Sequence, residues 1–272
     1  MFQRATNRSP LQSALALSEL VFHAAVRSVR KSHGNALVGL MLNIFQTVLL
    51  IAVFYLMLDL LGMRGSAIRG DFVLYIMSGV FVFMTHTKAM GAVSGSEGPT
   101  SPMMKHSPMN TVVAVASAAL GALYLQVLSA VVVLYVYHAA VTPITIFDPV
   151  GTMAMLLLAW ASGAALGMVV QAARPWWPDG VGMIATIYSR ANMIFSGKMF
   201  VANAVPGILQ FFDWNPLFHI IDQARGFIFL DYHPRFSSIW YPVWCTLAFL
   251  VIGLMAEFYT RRHASASWGA GK

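Results

Sequence analysis

Long apolar runs divide the chain into segments of membrane-spanning length. The six runs cover Ala36 to Leu61, Phe72 to Met90, Asn110 to Tyr137, Gly151 to Ala172, Val181 to Ala202 and Ile239 to Tyr259. A helix of about 20 apolar residues crosses a hydrocarbon core about 30 Å thick, and a chain in lipid must satisfy its backbone hydrogen bonds internally. The pattern therefore predicts an all-α polytopic membrane protein with six transmembrane helices, forming a single domain over residues 1–272.

The apolar pattern is broken between the fifth and sixth spans. Two cations, Arg190 and Lys198, lie in the fifth span, and the following aromatic stretch is interrupted at Pro206 and at the Asn-Pro pair 215–216. Charge and broken backbone at membrane depth are tolerated only when they are buried in protein or face a water-filled cavity. Residues 203–237 are therefore predicted to form a re-entrant or interface-lying helical hairpin beside a polar path.

Residues 10–33 have the pattern of an amphipathic helix. Glu19, His23 and Arg27 follow one another at steps of four residues, and apolar side chains occupy a second stripe. This segment is predicted to lie along the cytoplasmic headgroup surface as an interface helix. The alternative is an ordinary helix whose charged face is solvated.

The connection between the second and third spans, residues 93–109, is rich in Gly, Ser and Pro. Ser101-Pro102 is typical of a helix start, so a short turn that includes Met104 and Lys105 is predicted here. The turn is either a surface that docks on a cytoplasmic partner or part of a flexible loop.

Composition and charge agree with a membrane protein and orient it. Charged residues make up 10% of the chain, against about 25% in a soluble domain. The side of the termini carries Arg4, Arg8, Arg27, Arg30, Lys31, Lys88, Lys105, Arg174, Arg261, Arg262 and Lys272, and the other side carries Arg64, Arg69, Arg225 and Arg235. The positive-inside rule places both termini in the cytoplasm and the broken hairpin outside. The net charge of +7 is thus assigned to cytoplasmic loops and not to a nucleic-acid partner.

The motifs of enzymes and of nucleotide-binding proteins are missing from the sequence. It contains no HExxH, no Asp-rich cluster at membrane depth, no serine elbow and no GxxxxGK[ST]. We therefore predict no catalytic residue and no metal site. The acidic residues fall in loops or at the ends of predicted spans, which argues against coupling to an ion gradient and favours a partner ATPase.

The spans contain polar residues, which have two interpretations, and small residues, which have one. Asn43, Gln46 and Thr47 lie close together in the first span, where they either hydrogen-bond to another helix or line a substrate path. In the fourth span, Gly163 and Gly167 form part of a small-residue face that lets helices pack closely.

Several stretches resemble one transporter family. DWNPLFHIIDQARGFIF, followed by YHPRFSSIWYP and GLMAEFYTRRHA, is similar to the segment that precedes and includes the last span in permease subunits of ABC transporters that export polysaccharides. SPMMKHSPMNTVVAVASAAL and YIMSGVFVFM resemble the capsule-type members of this family of capsule, O-antigen and teichoic acid exporters. One departure is that Ala118, Ala119 and Leu120 stand where many relatives have an acidic residue.

The resemblance implies a homodimer of six-span permeases with two copies of a separate ATPase subunit, which would hold ATP and Mg²⁺; no cofactor is expected in this chain. It implies export of a lipid-linked or acidic polysaccharide across the bacterial inner membrane, with periplasmic or outer-membrane export proteins as further partners. The predicted channel residues are Asn43, Gln46, Phe54, Tyr188, Arg190 and Lys198; the gate residues are Trp214, Asn215, Pro216, Asp222 and Arg225; the ATPase-coupling residues are Glu19, Arg27, Glu97, Pro102, Met104 and Lys105.

Within this set, Arg190 is expected to attract acidic groups of the substrate, and Lys198, near the outer end of its span, is expected to extend to the outer interface. Two alternatives stay open. The chain would be an ABC permease for a drug or small lipid, with a narrower and more apolar path, or a membrane-embedded enzyme that acts on lipid-linked sugars.

Overall fold

The computed structural model describes residues 18–26, 36–60, 62, 68, 70–98, 111–204 and 206–263. Its helices are α1 (Ala36–Leu60), α2 (Phe72–Ser94), α3 (Thr111–Ala140), α4 (Pro149–Ala173), α5 (Pro178–Phe195), two 3₁₀ turns (Ala202–Ala204 and Pro206–Phe211), α6 (Pro216–Ile228) and α7 (Trp240–His263). Residues 18–26 are also helical. The described residues contain no strand, so the all-α prediction is confirmed.

Five helices, α1, α2, α3, α4 and α7, are long and apolar enough to cross a membrane. These five match five of the six predicted spans and agree with a multi-pass helical membrane protein. The second predicted span ended at Met90, but α2 continues to Ser94. The expectation that this span ends near His86 and Lys88 is therefore wrong, because both residues lie inside α2.

The fifth predicted span, Val181 to Ala202, differs most from the structure. Its helix, α5, runs from Pro178 to Phe195, and its 18 residues extend over about 27 Å at about 1.5 Å per residue. The helix ends before Gly197, whose φ of 70° lies in the left-handed region that favours glycine. Residues 196–201 then form a loop.

The helix α2 is the centre of the bundle and contacts α1, α3, α4 and α6. Glycines bring it close to α4: a Cβ added to Gly163 would lie 2.2 Å from the carbonyl oxygen of His86, and one added to Gly167 would lie 2.8 Å from that of Met90. Gly253 of α7 approaches α4 in the same way, with Met168 Cβ 2.9 Å from the added atom. The predicted small-residue face is thus a real helix contact.

One end of the bundle is crossed by α6, and we call it the α6 end. Here α2, α4 and α7 begin. Asp148, which caps α4, donates its backbone N–H to the carbonyl of Phe227 near the end of α6 (2.8 Å), and Tyr241 of α7 donates its hydroxyl to the carbonyl of Trp214 just before α6 (2.7 Å). Both ends of α6 are therefore tied to the starts of long helices.

At the opposite end, where α2, α4 and α7 finish, side chains again connect the helices. Gln171 of α4 donates to Ser96 Oγ after α2 (2.6 Å), and Trp176 donates to Thr260 Oγ1 of α7 (2.8 Å). Polar contacts thus connect the finishing ends of α2, α4 and α7 to one another.

We predict that Gly163→Ala destabilises the protein by about 2–3 kcal/mol, because the new methyl group meets backbone and cannot be accommodated by a side-chain shift. Thermal unfolding of the purified protein in detergent measures the effect as a lower Tm. Gly182→Ala in α5 is the matched control, since no atom lies within 4 Å of its added Cβ. Equal Tm values for the two variants would contradict the close α2–α4 contact.

Candidate functional site

The start of α6 is built by its Asn-Pro pair. Asn215 caps the helix by accepting a hydrogen bond from the N–H of Leu217 (3.0 Å), and Pro216 occupies the first turn, where a missing N–H costs nothing. The Asn215 amide also donates to Asn192 Oδ1 (2.7 Å) and to the carbonyl of Phe195 (3.0 Å) in α5. The predicted gate residues Asn215 and Pro216 thus join the start of α6 to the end of α5.

A single arginine of α6 organises the loop after α5. Arg225 is 1% exposed and donates to the carbonyls of Gly197 (3.0 Å), Phe200 (2.6 Å) and Lys198 (2.6 Å). Its guanidinium carbon also lies 4.4 Å from the ring centroid of Tyr75 in α2. We call these contacts the Arg225 clamp. They supply charge-assisted hydrogen bonds to carbonyls of the loop that follows α5, where the regular helical hydrogen-bond pattern has ended.

The loop held by the clamp rests on α2 at Gly79. A Cβ added to Gly79 would lie 3.0 Å from Arg225 Nη2 and 3.0 Å from both Cβ and the carbonyl oxygen of Lys198. The absence of a side chain at Gly79 therefore makes room for the clamp.

Asp222, also a predicted gate residue, connects α6 to the chain that follows it. Its buried carboxylate accepts hydrogen bonds from the hydroxyls of Tyr232 and Ser237, the latter at 2.6 Å. Burial and the neighbouring Asp222 raise the pKa of Tyr232 well above its usual value, so this phenol stays protonated as a donor. His219, one turn earlier, donates from Nε2 to the Asp213 carbonyl (2.6 Å) and accepts the Ser238 N–H at Nδ1 (3.1 Å).

The short aromatic pieces between α5 and α6 form a small core of their own. Phe200 and Phe212 meet edge to face with ring centroids 4.5 Å apart, and Phe195 and Phe218 pack against them. Trp214, the remaining predicted gate residue, is 56% exposed beside this core. The segment that interrupts the apolar pattern is therefore a folded unit attached to α6.

Lys198 lies inside the bundle. Its side chain is 3% exposed, and Nζ is 3.4 Å from the ring centroid of Phe83 in α2 and 5.0 Å from that of Phe54 in α1. No hydrogen-bond acceptor among the described residues contacts this ammonium group. The expectation that Lys198 extends to the outer interface is wrong, because its backbone carbonyl is held by Arg225 and its side chain points between α1 and α2. The structure does bring two predicted channel residues, Phe54 and Lys198, together.

The polar residues of the first span have different surroundings. Asn43 is buried and donates to Ser129 Oγ (2.8 Å) and Gln126 Oε1 (3.2 Å) of α3, so it joins two helices. Gln46 is exposed and accepts a hydrogen bond from Lys88 Nζ (2.5 Å). Of the two interpretations left open by the sequence, hydrogen bonding between helices applies to Asn43.

Tyr188 and Arg190 lie near each other in α5 but differ in their contacts. Tyr188 hydrogen-bonds to His86 Nε2 (3.1 Å), and His86 Nδ1 contacts Ser162 Oγ of α4 (2.9 Å). Ser162 Oγ also lies 2.9 Å from the Ala159 carbonyl; with the Ser162 proton directed to that carbonyl, His86 donates from Nδ1 and accepts from Tyr188 at Nε2. Arg190 is exposed, and within the described part of the chain it has no polar partner.

The predicted coupling residues are only partly described. Glu19 is exposed in the helical segment 18–26, with Oε1 3.9 Å from His23 Nε2. The Glu97 carbonyl accepts a hydrogen bond from Gln171 (3.2 Å) at the end opposite α6. Arg27, Pro102, Met104 and Lys105 lie outside the described residues.

Four residues that the structure places at this site were not predicted as site residues: Phe83, His86, Lys88 and Asn192. Phe83, His86 and Lys88 already lie within the predicted second span, and the polar side chains of His86 and Lys88 in an apolar helix were a signal that these two need partners. Asn192 could have been identified as an amide in an otherwise apolar helix, since such a group needs a buried partner.

Comparisons with known proteins do not add a family. No family model matches the sequence, and no curated protein matches it.

We predict that Arg225→Met destabilises the protein by about 3 kcal/mol, because the carbonyls of Gly197, Lys198 and Phe200 each lose a charge-assisted hydrogen bond from the guanidinium group. Thermal unfolding and limited proteolysis within residues 196–201 would both report the loss. Arg235→Met is the matched control, since Arg235 is exposed at the same end of the bundle. If the two variants unfold at the same temperature, the clamp does not hold this loop.

Proposed function

We propose that the chain is the transmembrane permease subunit of an ATP-driven exporter that moves capsular or another lipid-linked, acidic polysaccharide across the bacterial inner membrane. In this proposal α5 is the sixth crossing, shorter than the other five, and both termini are cytoplasmic. The segment from the 3₁₀ turns through α6 to residue 237 is a re-entrant gate on the periplasmic side. ATP and Mg²⁺ belong to a separate ATPase subunit.

The observation that carries the proposal is a set of cations without carboxylate partners. Among the described residues, Lys88 hydrogen-bonds to one amide, Arg190 has no polar partner, and Lys198 faces two aromatic rings. Cations within a membrane protein are costly unless they are paired or face water. Three of them around α1, α2 and α5 favour a polyanionic substrate as the missing partner.

The aromatic and hydroxyl groups around these cations suit a sugar chain. Phe54, Phe83 and Tyr188 offer ring faces for stacking, and Gln46 and Tyr188 offer polar groups for sugar hydroxyls. A path for a drug or small lipid would need fewer cations and no dependence on Arg190, so this alternative is tested by the same variant.

A second copy of the chain would complete the path. The outward face of α5 carries exposed apolar side chains around Arg190, and α1 exposes a long apolar face as well. The exposed residues of α5 are Met183, Ile184, Ile187, Met193 and Ile194, and those of α1 include Leu37, Met41, Phe45, Val48, Val53 and Leu56. In a homodimer these faces would meet lipid on one side and the second copy on the other.

We expect a tagged copy of the chain, purified in mild detergent from its native membrane, to retain an ATPase subunit. The complex reconstituted in vesicles should hydrolyse ATP and transport polysaccharide. Stable, active transport by the chain alone, with no ATPase bound, would rule out the proposal.

We predict that Arg190→Ala lowers export about tenfold, the equivalent of one lost interaction of about 1.4 kcal/mol. Assembly with the ATPase should be unaffected, because Arg190 is exposed and bonds to no described residue. Arg174→Ala is the control, since Arg174 is exposed at the end opposite α6. Unchanged export by Arg190→Ala would remove this residue from the pathway and favour the drug or lipid permease.

A further inference from the structure

Lys198 differs from the other charged groups that are buried with it. Arg225 has three carbonyl partners, and Asp222 has two hydroxyl partners. The Lys198 ammonium has neither an acceptor nor an acid within the described residues and contacts only the rings of Phe54 and Phe83. It is therefore the buried cation whose partner is missing.

The buried charge of Lys198 lowers the stability of the folded protein. Removing an ammonium group from water costs more than contact with two ring faces returns. The Lys198 ammonium is held in this buried position, because the Lys198 carbonyl accepts a hydrogen bond from Arg225 Nη2 and the loop rests against Gly79. A side chain that is fixed in place and works against stability is expected at a binding site rather than in a structural core.

The groups around Lys198 define the chemistry of its partner. An ammonium pairs with a carboxylate or phosphate, and a phenyl face packs against the C–H groups of a pyranose ring. The two rings come from different helices, Phe54 from α1 and Phe83 from α2. The site therefore lies where α1, α2 and the loop after α5 meet, and a shift of α1 away from α2 would open it.

We infer that Lys198, Phe54 and Phe83 form a subsite for an anionic sugar unit, in which the ammonium binds the sugar's carboxylate or phosphate and the rings pack against the sugar. This inference rests on the proposed function, since it names the part of the substrate that the subsite recognises.

The test is Lys198→Met in the complete transporter, reconstituted in nanodiscs with its ATPase. Methionine fills a similar volume without charge, so Tm should stay the same or rise by about 2–4 °C. Affinity for an oligogalacturonate should fall at least tenfold, while affinity for a neutral dextran oligosaccharide stays the same. Lys198→Arg should keep most of the affinity, and Arg235→Met, which changes an exposed cation, should change neither property.

Two further arms identify the ligand chemistry. If Lys198→Met weakens binding of a glycerol phosphate oligomer but not of oligogalacturonate, the subsite binds phosphate. The reverse result would show that it binds carboxylate. Phe54→Leu should weaken binding of the sugar oligomer, whereas Phe258→Leu, on the exposed surface of α7, should not.

The outcomes separate the subsite from the proposed function. A lower Tm with unchanged affinity for every anionic probe would make Lys198 a structural residue and overturn the subsite, even if the ATPase co-purifies and export proceeds. Lys198-dependent binding of an anionic oligomer by a chain that has no ATPase partner would support the subsite and overturn the exporter.

Discussion

The fold around the broken helix depends on one buried guanidinium group. A chain that leaves a helix inside a bundle exposes carbonyl groups that neither lipid nor apolar side chains can satisfy. Arg225 supplies donors to three of them from a single planar group, which a lysine could not do with the same geometry. Its charge lies near Asp222, one turn earlier in α6, and Tyr75 of α2 lies close to both. The end of α5, the 3₁₀ turns and α6 can therefore be accommodated as one connected unit.

The helices of the bundle are joined by two kinds of contact. Glycine contacts join α2 to α4 and α4 to α7, and polar contacts connect these three helices at the end opposite α6. By contrast, α1 is attached to α3 through the Asn43 amide, and α5 is attached through Tyr188 and Asn192. Side-chain hydrogen bonds between helices are easier to exchange than backbone contacts at glycine. In an exporter of the proposed kind, this difference would let α1 and α5 move against α2, α4 and α7.

The sequence was sufficient to predict the class of fold and five of the long helices, because apolar length is a direct consequence of membrane thickness. It was less informative where a side chain has two ways to satisfy its charge. Lys198 has the length to reach an interface, and only the Arg225 clamp, which depends on contacts between residues far apart in sequence, directs it inward. The same is true of Asn43, because the sequence pattern of a polar residue in a span is identical whether the residue lines a substrate path or bonds to another helix. Of the gate residues, Asn215 and Pro216 were recognisable as a helix start, but the three carbonyl partners of Arg225 could not be inferred from spacing.

The three hydrogen bonds of the Arg225 clamp also determine which parts of the molecule can move independently. One side chain holds the carbonyls of residues 197, 198 and 200, so the loop cannot be displaced one residue at a time without breaking bonds in a buried setting. Rotation of α6 would instead carry the loop and the Lys198 ammonium with it as a rigid body. Because Asn215 also binds Asn192 and the Phe195 carbonyl, the end of α5 would turn with that body, and a sugar held by Lys198 in the proposed subsite would be displaced by the same movement that opens the end of the bundle.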